Sequence, residues 1–232
     1  MSENIKETIK AFKVDLDSRE NQSILKSSTR CSNNQAYQVD EVAKKIDKLI
    51  KNAPYSNDDI ILNHNKIKEA FFSPFKPQLK NAQVFLSHSH ADKNKALKVK
   101  SYLESETNRR VFIDSLFWDY KDDVLNKLAE YDDISRIKDA FTLILRESLQ
   151  DMIEKCPYFV FLQSKNSVSN QGLSQITHSA WIYEELKIAH SISSESRLTI
   201  LVESFQISHD ISPFLDSLET ITLRKLSQQI NS

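Results

Sequence analysis

The chain has 232 residues, 40% of them hydrophobic and 27% charged, with a formal net charge of −1. That is the balance of a soluble globular protein, with no cationic surplus to point toward nucleic acid or an anionic membrane surface. A single glycine, Gly172, leaves no room for the glycine-dependent loops that let backbone amides approach a phosphate, which disfavours kinases, P-loop NTPases and Rossmann dehydrogenases.

No apolar run reaches the length of a membrane span, and Met1-Ser-Glu-Asn-Ile-Lys6 has no signal-peptide pattern, so a cytoplasmic location is expected. Cys31 and Cys156 stand far apart and cannot form a metal cluster alone; Cys156, among apolar neighbours, reads as buried. Residues 1–35 are polar and weakly periodic, which reads as a loose helix with a loop or as partial disorder. Val39, Val42, Ala43, Ile46, Leu49 and Ile50 then fall at helical spacing. Pro54 ends that helix, and Asn57 or Asp58 is placed to cap another running to about Phe72. The segment 73–77, with two prolines, reads as a connector.

Past the connector the rhythm becomes strand, helix, strand. Residues 82–87 predict a buried strand, 91–106 a helix and 110–114 a second strand. Residues 115–140 form an acidic, irregular stretch with some helical potential. Residues 141–155 predict a helix, 158–162 a third strand, 179–192 a helix, 198–202 a fourth strand and 220–223 a fifth. Such alternation implies a buried, mostly parallel sheet with helical crossovers and a site at the carboxyl ends of its strands.

Three places carry candidate chemistry. On the 179–192 helix, with Trp181 set at zero and about 100° per residue, Ile192, Ala189, Ile182 and Leu186 span an arc of roughly 20° to 140°. Glu185 falls inside that arc near 40° and Glu184 outside it near 300°, free to face water. A carboxylate on an apolar face is costly unless something satisfies it; a lysine or arginine from a neighbouring strand would do so without any catalytic role. The second place is Ser87-His-Ser-His-Ala-Asp92 at the exit of the first strand. Its two histidines have no further ligands at convincing spacing for a metal, and Asp92 is placed to cap the next helix. The third is Asp114-Ser-Leu-Phe-Trp118, whose aromatics either stack on a ligand or fold back onto the core.

In order along the chain, Val84-Phe-Leu-Ser-His-Ser-His-Ala-Asp92, Arg110-Val-Phe-Ile-Asp114, Pro157-Tyr-Phe-Val-Phe-Leu162 with Ser164 and Asn166-Ser167, and Ser179-Ala-Trp181 followed by Glu185-Leu186 together resemble bacterial Toll/interleukin-1 receptor (TIR) domains of the NAD-cleaving type. The resemblance covers residues 79–232 and leaves 1–78 as an N-terminal helical extension. It implies a flavodoxin-like α/β fold with about five mostly parallel strands flanked by helices. It implies that Glu185 is catalytic, that Ser87, His88, Asp114, Trp118 and Trp181 contact the nucleotide, and that no metal is used. NAD+ is then substrate rather than cofactor, yielding nicotinamide with ADP-ribose or a cyclic ADP-ribose isomer. It further implies self-association through TIR domains, a separate effector or trigger protein, a role in anti-phage defence signalling, and neither nucleic-acid nor membrane binding. The long segment 115–140 and the loop at 168–178 depart from the family pattern. A non-catalytic TIR scaffold, a nucleoside deoxyribosyltransferase-like enzyme and a phosphoacceptor receiver are the competing readings. The receiver is disfavoured because Ser87-His88 stands where its acidic pair would be.

Overall fold

The structure is a computed structural model that describes residues 9–28, 39–56, 59–75, 81–113, 115–130, 138–171, 174–193 and 208–232. Its contacts divide the chain into two compact units, residues 1–32, 82–115 and 152–232 in one and residues 33–81 and 116–151 in the other.

The first unit is built on five parallel strands: β1 (Lys10–Asp15), β4 (Ala82–His88), β5 (Arg110–Ile113), β6 (Tyr158–Gln163) and β10 (Glu219–Thr220). Two short strands, β2 (Tyr55–Ser56) and β3 (Asp59–Ile60), pair in the other unit, and β7 (Ser169–Gln171), β8 (Ser174–Thr177) and β9 (His209–Asp210) form a small antiparallel sheet. The large sheet runs β10-β1-β6-β4-β5. Taken from the β5 edge, with β1 counted after β6, this is the 2-1-3-4-5 order of flavodoxin-like folds. The α/β expectation holds, with one correction. Residues 1–35 were expected to be helix or loop, yet Lys10–Asp15 is a strand paired on both sides and fills the fourth position. Phe12, Val14 and Leu16 are buried while Asp15 and Asp17 are exposed, an alternation with the period of a strand. The strand expected at 198–202 lies outside the described residues, as do Gly172 and Cys31.

The pleat sorts the sheet's side chains onto two faces. Ser87, level with Phe161 and Lys13, belongs to one row, and His88, level with Leu162 and Val14, to the other. Ser87 meets the helix Ala180–Ser193, whereas Tyr158, in the His88 row, donates its hydroxyl to Gln229 O on the helix Leu223–Asn231. Helices therefore cover both faces. The β5 edge is also closed. The Val111 N–H donates to Glu104 Oε1 and its carbonyl accepts from Lys100 Nζ, both on the helix Lys93–Thr107, so the edge offers no free ladder there to another chain. That helix ends with Asn108 at φ 51°, the left-handed cap that asparagine tolerates better than most residues.

The second unit is helical. Val42, Ala43, Ile46 and Ile50 of the helix Val39–Lys51 form the expected buried stripe. The next helix, His64–Phe72, starts later than expected and is capped by Asn63, whose side chain accepts from Lys66 N, while Asp59–Ile60 is strand. The acidic stretch after β5 is a helix, Ser115–Leu128. Tyr120, Val124 and Leu128 are its buried stripe, and the Tyr120 hydroxyl donates to Phe71 O beside the rings of Phe71 and Phe141. The fifth strand is shorter than expected, since Thr222 already caps the C-terminal helix.

Cys156 is buried, and that burial pushes its thiol up to about 12. At pH 8 a Cys31→Ser protein is expected to leave Cys156 unmodified by a disulfide reagent until denaturant is added. Stoichiometric labelling of the native protein within minutes would contradict this burial.

Candidate active site

The carboxyl ends of β1, β4 and β6 lie side by side, and the sequence places its most chemically loaded residues there. β4 ends in Ser87-His88. The helix Ala180–Ser193 follows β6 after the short strands β7 and β8 and packs over β1 and β4. Ser179 starts that helix, its Oγ accepting from Ile182 N at 3.3 Å, which sets the phase that turns Glu185 toward the sheet. Glu185 is 0% exposed, and Ser87 Oγ donates to its Oε2 at 2.5 Å. The first and last motifs singled out in the sequence therefore meet. The described partner of Glu185 is thus a hydroxyl at the end of a sheet strand.

The other expected site residues are distributed differently. Trp181 is half-buried one helical turn before Glu185, a spacing that puts the two on one side of the helix. His88 is buried, but pleat alternation turns it to the face opposite Ser87. Asp114 and the side chain of Trp118 lie outside the described residues. Glu184 corrects its expectation. It is buried rather than facing water, with Lys187 Nζ 3.7 Å from its Oε1. The helix is covered nearly all round, so the polar side of the wheel does not meet solvent.

A second polar group was not read from the sequence. Asp92 stands at the start of the helix Lys93–Thr107 but makes no capping bond. Its buried carboxylate instead accepts from Ser164 Oγ and from Asn166 Nδ2 at 3.0 Å, with Lys95 Nζ at 3.4 Å. It thereby joins the loop after β4 to the loop after β6. In the 2-1-3-4-5 order these two strands bound the switch point where flavodoxin-like sheets hold ligands. Asp92→Ala is expected to lower stability by roughly 1–3 kcal/mol, because buried groups lose their partner. Lys95→Met, altering a more exposed partner, is expected to cost less than about 1 kcal/mol. Urea denaturation of both variants checks the ordering, and a larger loss from Lys95→Met would contradict it.

Asp17, in the turn after β1, accepts from the Lys165 backbone N–H at 3.1 Å and from Lys95 Nζ at 3.1 Å. Burial alone would raise its pKa, but these donors outweigh burial and hold the carboxyl below its ordinary value. Burial likewise pulls the Lys95 ammonium down, and Asp17 and Asp92 more than reverse it. The Asp17–Lys95 pair is therefore fully charged above about pH 4 and below about pH 10. Its contribution is lost as pH falls through the lowered Asp17 value or rises through the raised Lys95 value. Asp17 has a strand signal behind it in the Phe12, Val14, Leu16 alternation, whereas nothing local marks the long-range partners of Asp92.

Among the described residues no group of three or more His, Cys, Asp or Glu side chains is arranged to hold a metal ion, and no helix is long and apolar enough to cross a membrane. The chain matches no family model, no curated protein and no solved structure.

Proposed function

We propose that this chain is a TIR-type NAD+ glycohydrolase or cyclase that uses Glu185 to break the nicotinamide–ribose bond. The observation that carries this reading is the hydrogen bond from Ser87 to Glu185. It unites two of the four motifs behind the TIR resemblance, at the strand ends where this fold class holds ligands. The chemistry suits one carboxylate. Nicotinamide leaves a cationic pyridinium as a neutral base and needs no proton, so the acid–base pair of ordinary glycosidases is not required. Glu185 would stabilise the oxocarbenium charge left on the ribose, with Ser87 holding the carboxylate in place and Trp181 walling the pocket. Water addition gives ADP-ribose and a proton; attack by an oxygen or nitrogen of the same molecule gives a cyclic isomer.

Because Glu185 has no exposure, substrate entry requires a movement that uncovers it. This reading places the protein in the cytoplasm, with activity switched on by TIR–TIR assembly after a trigger, and with a separate effector in anti-phage defence. The same burial favours the second reading, a non-catalytic TIR module acting only through assembly. Incubation of the full chain with NAD+, with and without a crowding agent, separates the two. Release of nicotinamide with ADP-ribose or a cyclic isomer is expected on liquid chromatography. Intact NAD+ alongside large assemblies would support the scaffold instead.

A further inference from the structure

We propose that Asp17 is a positioning residue through which the N-terminal strand holds together the loops that follow β4 and β6 at the switch point of the sheet. The proposal rests on the reading of that switch point as part of the NAD+ site, and goes beyond it in making the site's order depend on a segment outside the motifs that suggested it.

The turn carrying Asp17 is itself well fixed. Leu16 N–H donates to Gln163 O at 2.8 Å, carrying the β1–β6 ladder one residue past the end of β1, and Asp17 N–H donates to Asp15 Oδ1 at 2.8 Å. From that base the two oxygens of one carboxylate reach in two directions. Oδ2 takes the Lys165 N–H of the loop after β6, and Oδ1 takes Lys95 Nζ at the start of the helix that follows β4. Lys95 lies between Asp17 and Asp92, and Asp92 returns to the β6 loop through Ser164 and Asn166. The bonds therefore close a ring: Asp17, Lys95, Asp92, Ser164–Asn166, Lys165 and back to Asp17. Removing Asp17 opens the ring at both loops at once. The Asp17–Lys95 pair is more than one-third exposed on each side, and such pairs add little to global stability. The expected effect is local order rather than folding.

Amide hydrogen exchange on the full chain reads this directly. In Asp17→Ala the Ser167 and Val168 amides, both bonded to Ser164 O, and the Asp92 amide, bonded to Ser89 O, are expected to exchange roughly threefold to tenfold faster. Amides of the β4–β6 ladder are expected to keep their rates. In the NAD+ assay KM is expected to rise about tenfold, with kcat held within about twofold, as for lost binding order rather than lost chemistry. Asp17→Asn, which keeps an acceptor for Lys165 N–H but not the charge facing Lys95, is expected to fall between wild type and Asp17→Ala in both readouts. Faster exchange confined to Lys165, or to one loop, overturns the proposal whatever the activity. So does joint loosening without a change in KM in an active enzyme. If wild type cleaves no NAD+, the functional reading fails by itself, and the exchange experiment still decides whether Asp17 couples the loops.

Discussion

Val14→Asp is expected to unfold the sheet-bearing unit at room temperature. Val14 is fully buried and lies in register with Leu162 of β6, in a strand flanked on its other side by β10. A carboxylate placed there without a partner costs several kcal/mol, a large share of the roughly 5–15 kcal/mol that holds a typical domain together. Deleting residues 1–17 is expected to have the same outcome, because β6 would lose its partner on one side and β10 its only neighbour among the described strands. Far-ultraviolet circular dichroism with thermal melting checks both variants. A truncated or Val14→Asp protein that melts within a few degrees of wild type would show that β1 is dispensable, as an N-terminal extension outside the domain would be.

Glu185 is expected to contribute to activity while detracting from stability. Taking a carboxylate entirely out of water is unfavourable even when it is hydrogen-bonded. Glu185→Ala alone leaves Ser87 without its acceptor and opens a cavity, with an expected loss of roughly 2–4 kcal/mol. The paired change Ser87→Ala with Glu185→Leu removes both polar groups at nearly constant volume, and is expected to leave the protein as stable as wild type or more so. The same paired variant is expected to lose NAD+ cleavage entirely. Denaturant titration of the single and paired variants gives the comparison. A paired variant less stable than Glu185→Ala would mean that the Ser87–Glu185 contact is a structural requirement of the fold.

The parts of the molecule that were legible in the sequence are those whose pattern is decided locally. β4, β5 and β6 are apolar runs bounded by polar turns, and a strand buried on both faces needs little else. The burial of Glu185 was legible because the helical wheel places it inside the apolar arc of its helix. β1 was missed because its alternation is brief and its neighbours are polar, and only the slot between β6 and β10 makes that alternation a strand. The helix Ser115–Leu128 was hidden for a related reason: Asp119, Asp122 and Asp123 obscure the spacing of Tyr120, Val124 and Leu128. Glu184 went astray because a helical wheel gives direction but not what covers each direction. Asp92 was expected to cap its own helix, the local option, and instead serves a loop far away in the chain. Long-range hydrogen bonding of this kind leaves no periodic trace.

The most direct test of the central claim sets wild type beside Glu185→Gln, which keeps size and one acceptor oxygen for Ser87 but removes the charge. Both are incubated with NAD+ under assembly-promoting conditions, and nicotinamide is measured over time, with melting curves to confirm that both are folded. The predicted result is release by wild type and a rate roughly a hundred- to a thousandfold lower for Glu185→Gln. Equal release by two folded proteins would contradict the assignment of Glu185.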